Sequence, residues 1–535
     1  MPRSLHGRVE VTDDTLAEAR EEVLERIADV EPGFAVVKRL EFERRFDFLF
    51  LELQNDPANL LPVSRDTRDA LVDLGEAMAA PNLNVANRDT NFSAAYTYFG
   101  QFVDHDITLE KSAQPGMKPP VEEDLEPLAL NDVRNQTRNV RTGLLELDSV
   151  YNLPAPRDPD DNLKMKLGKV SPGGGTANKD VFNDLPRRRR IPDDIKRDRE
   201  ALIGDPRNDE NLVVAQMQVA FLRAHNRLVE ETSPPQRFKK AKRRLRRHYQ
   251  HIIIHDFLKK IAEPSIVDDT IKRNRIYKPG EDEFFMPLEF SVAAYRFGHS
   301  MVRARYNFNV NFPGATFDLL FTFTALSGQL GESNTLPDIW IIQWERFFRG
   351  FEDFNKARKI DTELAEPLEH LQTMEGEDEG EGAPQGEPQK LAAKLAIRNL
   401  LRGYQLRMPT GQAVARVLQE KLQGVRDIPV LTKTQIRNAA ASDKQREVLK
   451  DSGLDERTPL WYYILAEAES LRDGRRLGPV GSTIVAEVLV GLVCRSPDSI
   501  LAPGSNWKPN LPSEEPGEFT LHDLLNYASK RIKDD

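Results

Sequence analysis

Apolar residues recur at helical spacing along most of this chain, and strand-like alternation is almost absent. Asn211–Glu231, Phe238–Ile261, Leu288–Arg303 and Leu391–Arg402 each carry the helical period. A later segment sets Val480, Ile484, Val485, Val488, Leu489 and Leu492 on one broad face, with Gly478-Pro479 before it as a start signal. Only Ala304–Val310 alternates as a strand would. The pattern predicts a mainly α-helical protein. Its 535 residues set a prior of about three to four domains. No internal repeat divides the periodic part, however, and one large helical domain with long irregular loops is expected. Residues 1–80 read as an amphipathic helical extension, 81–505 as the main domain and 506–535 as a tail. From Lys111 to Arg197 the composition shifts to Pro, Gly, Asn and Asp, as in a surface wrap or functional loop region. The stretch 374–389 has six acids and no base, and is expected to be a disordered insertion.

Composition removes several function classes. A net charge of −10 argues against nucleic acid as the main partner. The basic run RFKKAKRRLRRH (237–248) is then better read as a solvated helix face. No apolar stretch is long enough to span a membrane. MPRSLHGRVEVTDD lacks an apolar signal core, so a cytoplasmic protein or one exported by a non-classical route is expected. With Cys494 as the one cysteine, intrachain disulfides, iron–sulfur clusters and multi-cysteine zinc sites are excluded. Metal chemistry must rest on nine histidines and on carboxylates. HYQHIIIH (248–255) holds an i, i+4 pair, His251 and His255, but lacks the acid of a metalloprotease motif.

One octapeptide, FGQFVDHD (99–106), is unusual. On a helix Phe99, Val103 and Ile107 fall within an arc of about 80°, and Gln101, Asp104 and His105 gather within roughly 100° on the other side. Asp106 lands beside Phe99. On the wheel alone a solvated polar face with a satisfied histidine would explain this. The octapeptide also resembles the distal-histidine motif of the animal-type haem peroxidases, the peroxidase–cyclooxygenase superfamily. The likeness continues in that family's order with GDPRNDEN (204–211) before LRAHNRL (222–228), then AYRFGHSM (294–301), then RNLLRGYQLRMPTG (398–411). The chain looks like a bacterial-type member, and the resemblance spans most of it after about residue 85; the first 80 residues and the acidic insertion lie outside it.

The resemblance implies a haem-peroxidase-like domain carrying haem b. It would reduce hydrogen peroxide through a ferryl intermediate and oxidise a small donor: a halide, thiocyanate or a phenol. His105 corresponds to the distal histidine, which moves a proton between the peroxide oxygens. Arg207 matches the distal arginine, whose charge stabilises the breaking O–O bond, and Gln101 would orient peroxide or water. His299 matches the proximal iron ligand, and Asn399 the asparagine that accepts the proton of the ligand's other nitrogen. Arg402 would pair with a propionate. Asp104 and Glu210 stand where the family forms ester bonds to haem methyl groups, while Asn211 replaces the methionine of its sulfonium link. Asp106, with Thr142, the Leu144 carbonyl, Glu146 and Asp148 of RTGLLELDSVY, resembles the family's calcium site. There Glu146 and Asp148 depart from the usual aspartate and serine.

Two rivals follow: a fatty-acid dioxygenase of the same superfamily, and a non-catalytic scaffold that kept the fold. In the dioxygenases a radical-forming tyrosine stands three residues before the proximal histidine. Here that position is Arg296, and Tyr295 is expected to point about 100° away on a regular helix.

Overall fold

The helices that build the site pack through aromatic side chains. In the computed structural model, residues 45–79, 88–112, 124–173, 181–279, 284–371 and 390–529 are described, apart from 193, 195, 196, 349, 351, 352 and 392. The acidic insertion and the first 44 residues of the extension lie outside them. The long helices are α1 (Arg65–Ala77), α2 (Ala95–Ile107), α3 (Leu212–Glu231), α4 (Arg237–His251), α5 (Leu395–Gln405), α6 (Leu460–Arg472), α7 (Pro479–Arg495) and α8 (Leu521–Ser529). The apolar arc of α2 packs on α3 and α4. Phe102 stacks on Phe221 at 4.6 Å, and Phe99 meets Tyr249 edge-on at 6.1 Å. α3 begins at Asn211, whose side chain accepts the Val214 N–H and so caps it. α1 lies so close to α5 that a Cβ on Gly75 would stand 2.7 Å from Ile397.

α7 is buried all round from Pro479 to Val493 rather than along one face, as a helix at the centre of a large core must be. The described half of the N-terminal extension is likewise inside: Phe46, Phe48 and Phe50 are core residues. The C-terminal α8 docks on α3, where Arg223 donates to the Ala528 carbonyl. The basic run is solvated only in part, with Lys239 and Arg243 exposed. Arg237 caps the end of α3 at the Val229 carbonyl, and Arg246 and Arg247 donate to the carbonyls of Glu146 and Asp498.

Strands are few. A four-stranded sheet runs Glu110–Ser112, Thr137–Asn139, Arg45–Asp47, Phe285–Pro287, with the last pair parallel and the others antiparallel. It joins the exit of α2 to the entry of the segment carrying His299. The strand expected over Ala304–Val310 shrinks to Arg305–Tyr306, paired with Ala315–Thr316.

The segment Leu288–Arg303 is not the regular α-helix its periodicity predicts. It opens as a π-turn over Glu289–Ala293 and tightens to a 3₁₀-helix over Ala294–His299. The Glu289 carboxylate accepts the N–H groups of Leu49 at 2.7 Å and Phe50 at 3.0 Å, which pins the start of this segment to the N-terminal strand.

Candidate active site

The end of α2 turns three neighbouring residues to three different partners. His105, buried, places Nδ1 2.7 Å from Asn208 Oδ1. Asn208 Nδ2 donates to Gln218 Oε1 at 2.9 Å, and Gln218 Nε2 donates to the Ser149 carbonyl at 2.8 Å. A carbonyl only accepts, so each amide in turn shows its oxygen to the group before it, and Nδ1 of His105 must carry the proton. The lone pair is then on Nε2. Burial, and next the Arg207 charge, push the His105 pKa down to about 3, so the ring is a neutral base.

Arg207 is itself fully buried. Asp205 takes its Nε at 3.0 Å and its Nη2 at 2.7 Å, and Nη2 also reaches the carbonyls of His105 and Thr108. Nη1 is buried with no partner. Gln101 Oε1 accepts from Asn211 Nδ2 at 3.1 Å, so the asparagine in the methionine position positions Gln101. The Asp104 carboxylate accepts from Thr108 Oγ1 at 2.9 Å, and burial raises its pKa against the opposing charge of Arg207. Glu210 is buried directly after the turn that holds Arg207.

On the proximal side His299 Nδ1 lies 2.7 Å from Asn399 Nδ2, and Asn399 Oδ1 accepts from Arg296 Nη1 at 2.7 Å. A guanidinium only donates, so the amide oxygen must face Arg296 and the amide nitrogen must face the histidine. Asn399 therefore donates to His299, the reverse of the expected sense. The cause is the 3₁₀ winding, which eclipses side chains three apart and brings Arg296 onto the face of His299. Tyr295, on the same 3₁₀ segment, reaches α2. Its hydroxyl, buried without a partner, lies 4.0 Å from where a Cβ on Gly100 would stand, against α2. Arg402 is not free for a propionate as expected; it pairs with Glu110 and donates to Gln405. Arg398, singled out by no sequence reading, buries an Nη2 with no partner.

The five expected calcium donors do not fit an ion as they stand. Asp106 accepts the Asp148 N–H at 2.6 Å, the Leu147 N–H at 3.2 Å and the Tyr249 hydroxyl at 3.1 Å. Burial and the facing Asp148 push its pKa up to about 8. Thr142 reaches Asp148 at 3.4 Å, while the Leu144 carbonyl accepts the Glu146 N–H. Glu146 instead turns to Arg246, at 3.3 Å. Among the described residues no group of three or more His, Cys, Asp or Glu side chains could hold a metal ion. None of their helices is long and apolar enough to cross a membrane.

A haem fits better. Of four buried guanidinium nitrogens without partners among the described residues, one belongs to Arg207, near His105, and one to Arg398, near His299; a Cβ on Gly298, next to His299, would meet nothing within 4 Å. Residues 133–324 match the family model for animal haem peroxidase. A "Peroxidase-like protein" of Margaritifera margaritifera is 28% identical over 287 residues, covering 42% of this chain and 34% of that protein. The chain thus spans about a third of that relative's length. Peroxidase A from Dictyostelium discoideum superposes with a TM-score of 0.52 at 16% identity, over 86% of this chain and 88% of that one. A fatty acid alpha-dioxygenase of Arabidopsis thaliana gives 0.51 at 12% identity, over 88% and 74%. These structures share the fold between a peroxidase and a dioxygenase, and neither points to a bacterial-type branch. The chain thus shares the fold of these proteins, and its residues 133–324, which include the Arg207 loop and the His299 segment, are similar to the animal haem peroxidase family.

Proposed function

We propose that this protein is a haem peroxidase that reduces hydrogen peroxide and oxidises a small organic or inorganic donor. The observation that carries this reading is the one-way amide chain from Ser149 to His105, which leaves a neutral imidazole with its lone pair on Nε2, while Arg207, bonded to the His105 carbonyl, keeps an unpartnered Nη1. Bound haem would supply the electron transfer, accepting oxidising equivalents from peroxide and passing them to donors. His105 Nε2 takes the proton of one peroxide oxygen and returns it to the other, so that water departs rather than hydroxide. Arg207, immobilised by Asp205, stabilises the negative charge that develops between the oxygens. Gln101, fastened through its oxygen to Asn211, keeps its amide N–H groups for peroxide or water. His299 would hold the iron, and Asp104 and Glu210 would be the carboxylates for ester attachment.

A second reading, fatty-acid dioxygenation, is supported by Tyr295, a buried phenol without a hydrogen-bond partner that reaches α2. An absorption spectrum and a peroxide assay of the haem-supplemented protein test the first reading. A Soret band and peroxide-dependent oxidation of a phenol or halide are expected. Absence of the band would leave a binding scaffold. Oxygen uptake with a polyunsaturated fatty acid, abolished by Tyr295→Phe, would transfer the assignment to the dioxygenases.

A further inference from the structure

The cations on the proximal side are unevenly satisfied. Arg296 is bonded to Asn399, and Arg402 to Glu110 and Gln405. Arg398, on α5 next to Asn399, has a buried Nη2 with no acceptor. Its electrostatic neighbours are Arg296, a like charge, and Glu210, the one acid acting on it. Arg296 has Asp104 and Glu110 near it as well, so Arg398 is the cation short of acceptors. Burying a cation without a full set of acceptors is costly, and a second anion placed at Nη2 removes that cost. A guanidinium edge matches a carboxylate better than it matches a round halide, because two parallel N–H groups meet two oxygens.

We infer that Arg398, rather than Arg402, is the residue that anchors a haem propionate carboxylate in this chain. The inference rests on the haem reading and adds to it the identity of the anchor. It explains why Arg402 can be spent on Glu110 without leaving the cofactor's charge unmatched. It also gives Glu210 a neighbour that holds the α5 side of the site to the loop carrying Arg207.

The test compares protohaem with its dimethyl ester, in which both propionates are neutral, on the apoprotein. Affinities are read from the Soret titration and from the rate of haem transfer to a scavenger. Wild type is expected to prefer protohaem. Arg398→Met should cut that preference roughly tenfold to a hundredfold, the worth of a charge-assisted hydrogen bond. Its affinity for the diester should stay near that of wild type, which also shows that the variant folds. Arg402→Met should leave the preference intact. A wild type that does not discriminate between the two haems overturns the inference without any variant, as does an Arg402→Met that alone loses discrimination. Weakened fatty-acid binding in Arg398→Met with the haem preference unchanged would place a substrate carboxylate there, and also overturns it. Failure to bind either haem sinks the haem reading itself, a distinct outcome.

Discussion

Two histidines in this molecule are each handed to an asparagine, and the two pairs run in opposite senses. On the distal side His105 donates through Nδ1 to Asn208; on the proximal side His299 receives at Nδ1 from Asn399. The distances are the same, 2.7 Å. The difference comes from the third residue in each chain. Gln218, itself committed to a backbone carbonyl, forces Asn208 to present its oxygen. Arg296, which can only donate, forces Asn399 to present its nitrogen. A histidine–asparagine pair carries no direction of its own. The residue behind the amide decides whether the ring is a base or an acceptor.

The largest test of this contrast is on the distal ring. His105→Ala is expected to slow reaction with peroxide roughly 10²–10⁴-fold with haem still bound. Asn208→Leu, which removes only the tautomer control, should cost about tenfold, the worth of one neutral hydrogen bond. Stopped-flow rates that leave both variants at the wild-type value would break the distal assignment.

The proximal pair sharpens the comparison. A neutral imidazole that ligates through Nε2 carries its proton on Nδ1 and needs an acceptor there. Asn399 instead donates to Nδ1 and so opposes that tautomer, and Asn399→Leu should leave haem affinity undiminished. Asn399→Asp offers oxygens to both Arg296 and the ring, and should keep haem while lowering its reduction potential. A redox titration in which Asn399→Asp raises the potential would contradict the polarity argued here.

A smaller effect concerns the fastening of the proximal segment. Burial pushes the Glu289 carboxyl up to about 7, from an ordinary 4.5. The folded form thus holds this proton more tightly than the unfolded chain. Stability should be highest near pH 4.5, fall as pH rises to about 7 and then level, by roughly 3 kcal/mol at most. Thermal melts of Glu289→Gln should lose that slope; an unchanged slope would assign it to other groups.

The smallest expected effect lies behind the distal helix. With Glu146 held by Arg246, chelation should leave the melting temperature of wild type unmoved. Arg246→Met removes that cation from Glu146, and calcium should then stabilise the variant by a few degrees. Calcium-dependent melting of the wild type would restore the metal site expected from the motif.

Much of the site was legible in the residues. The wheel of FGQFVDHD separated the apolar arc that packs on Phe221 and Tyr249 from the polar side that carries His105. The motifs located Arg207, His299 and Asn399. The polarity of the two pairs was not legible, because Ser149 and Gln218 meet His105 only through the fold. Nor was the 3₁₀ winding before His299. AYRFGHSM is compatible with an α-helix, and the tight turn is imposed from outside, where Glu289 is pinned to Leu49 and Phe50. The basic run misled for a related reason. Periodicity reports which face of a helix is charged, but not that backbone carbonyls wait opposite Arg237, Arg246 and Arg247.

The small sheet bears on how the chain reaches its native state. Arg45–Asp47 lies between strands that follow α2 and the parallel strand Phe285–Pro287, far along the chain. Closing that pair requires a loop of most of the distal half, a non-local contact that is slow to form and offers little reward until it is complete. Arg45–Asp47 must therefore wait for a segment made much later. The sheet that joins the exit of α2 to the entry of the His299 segment is complete only when the two ends of that long loop have met.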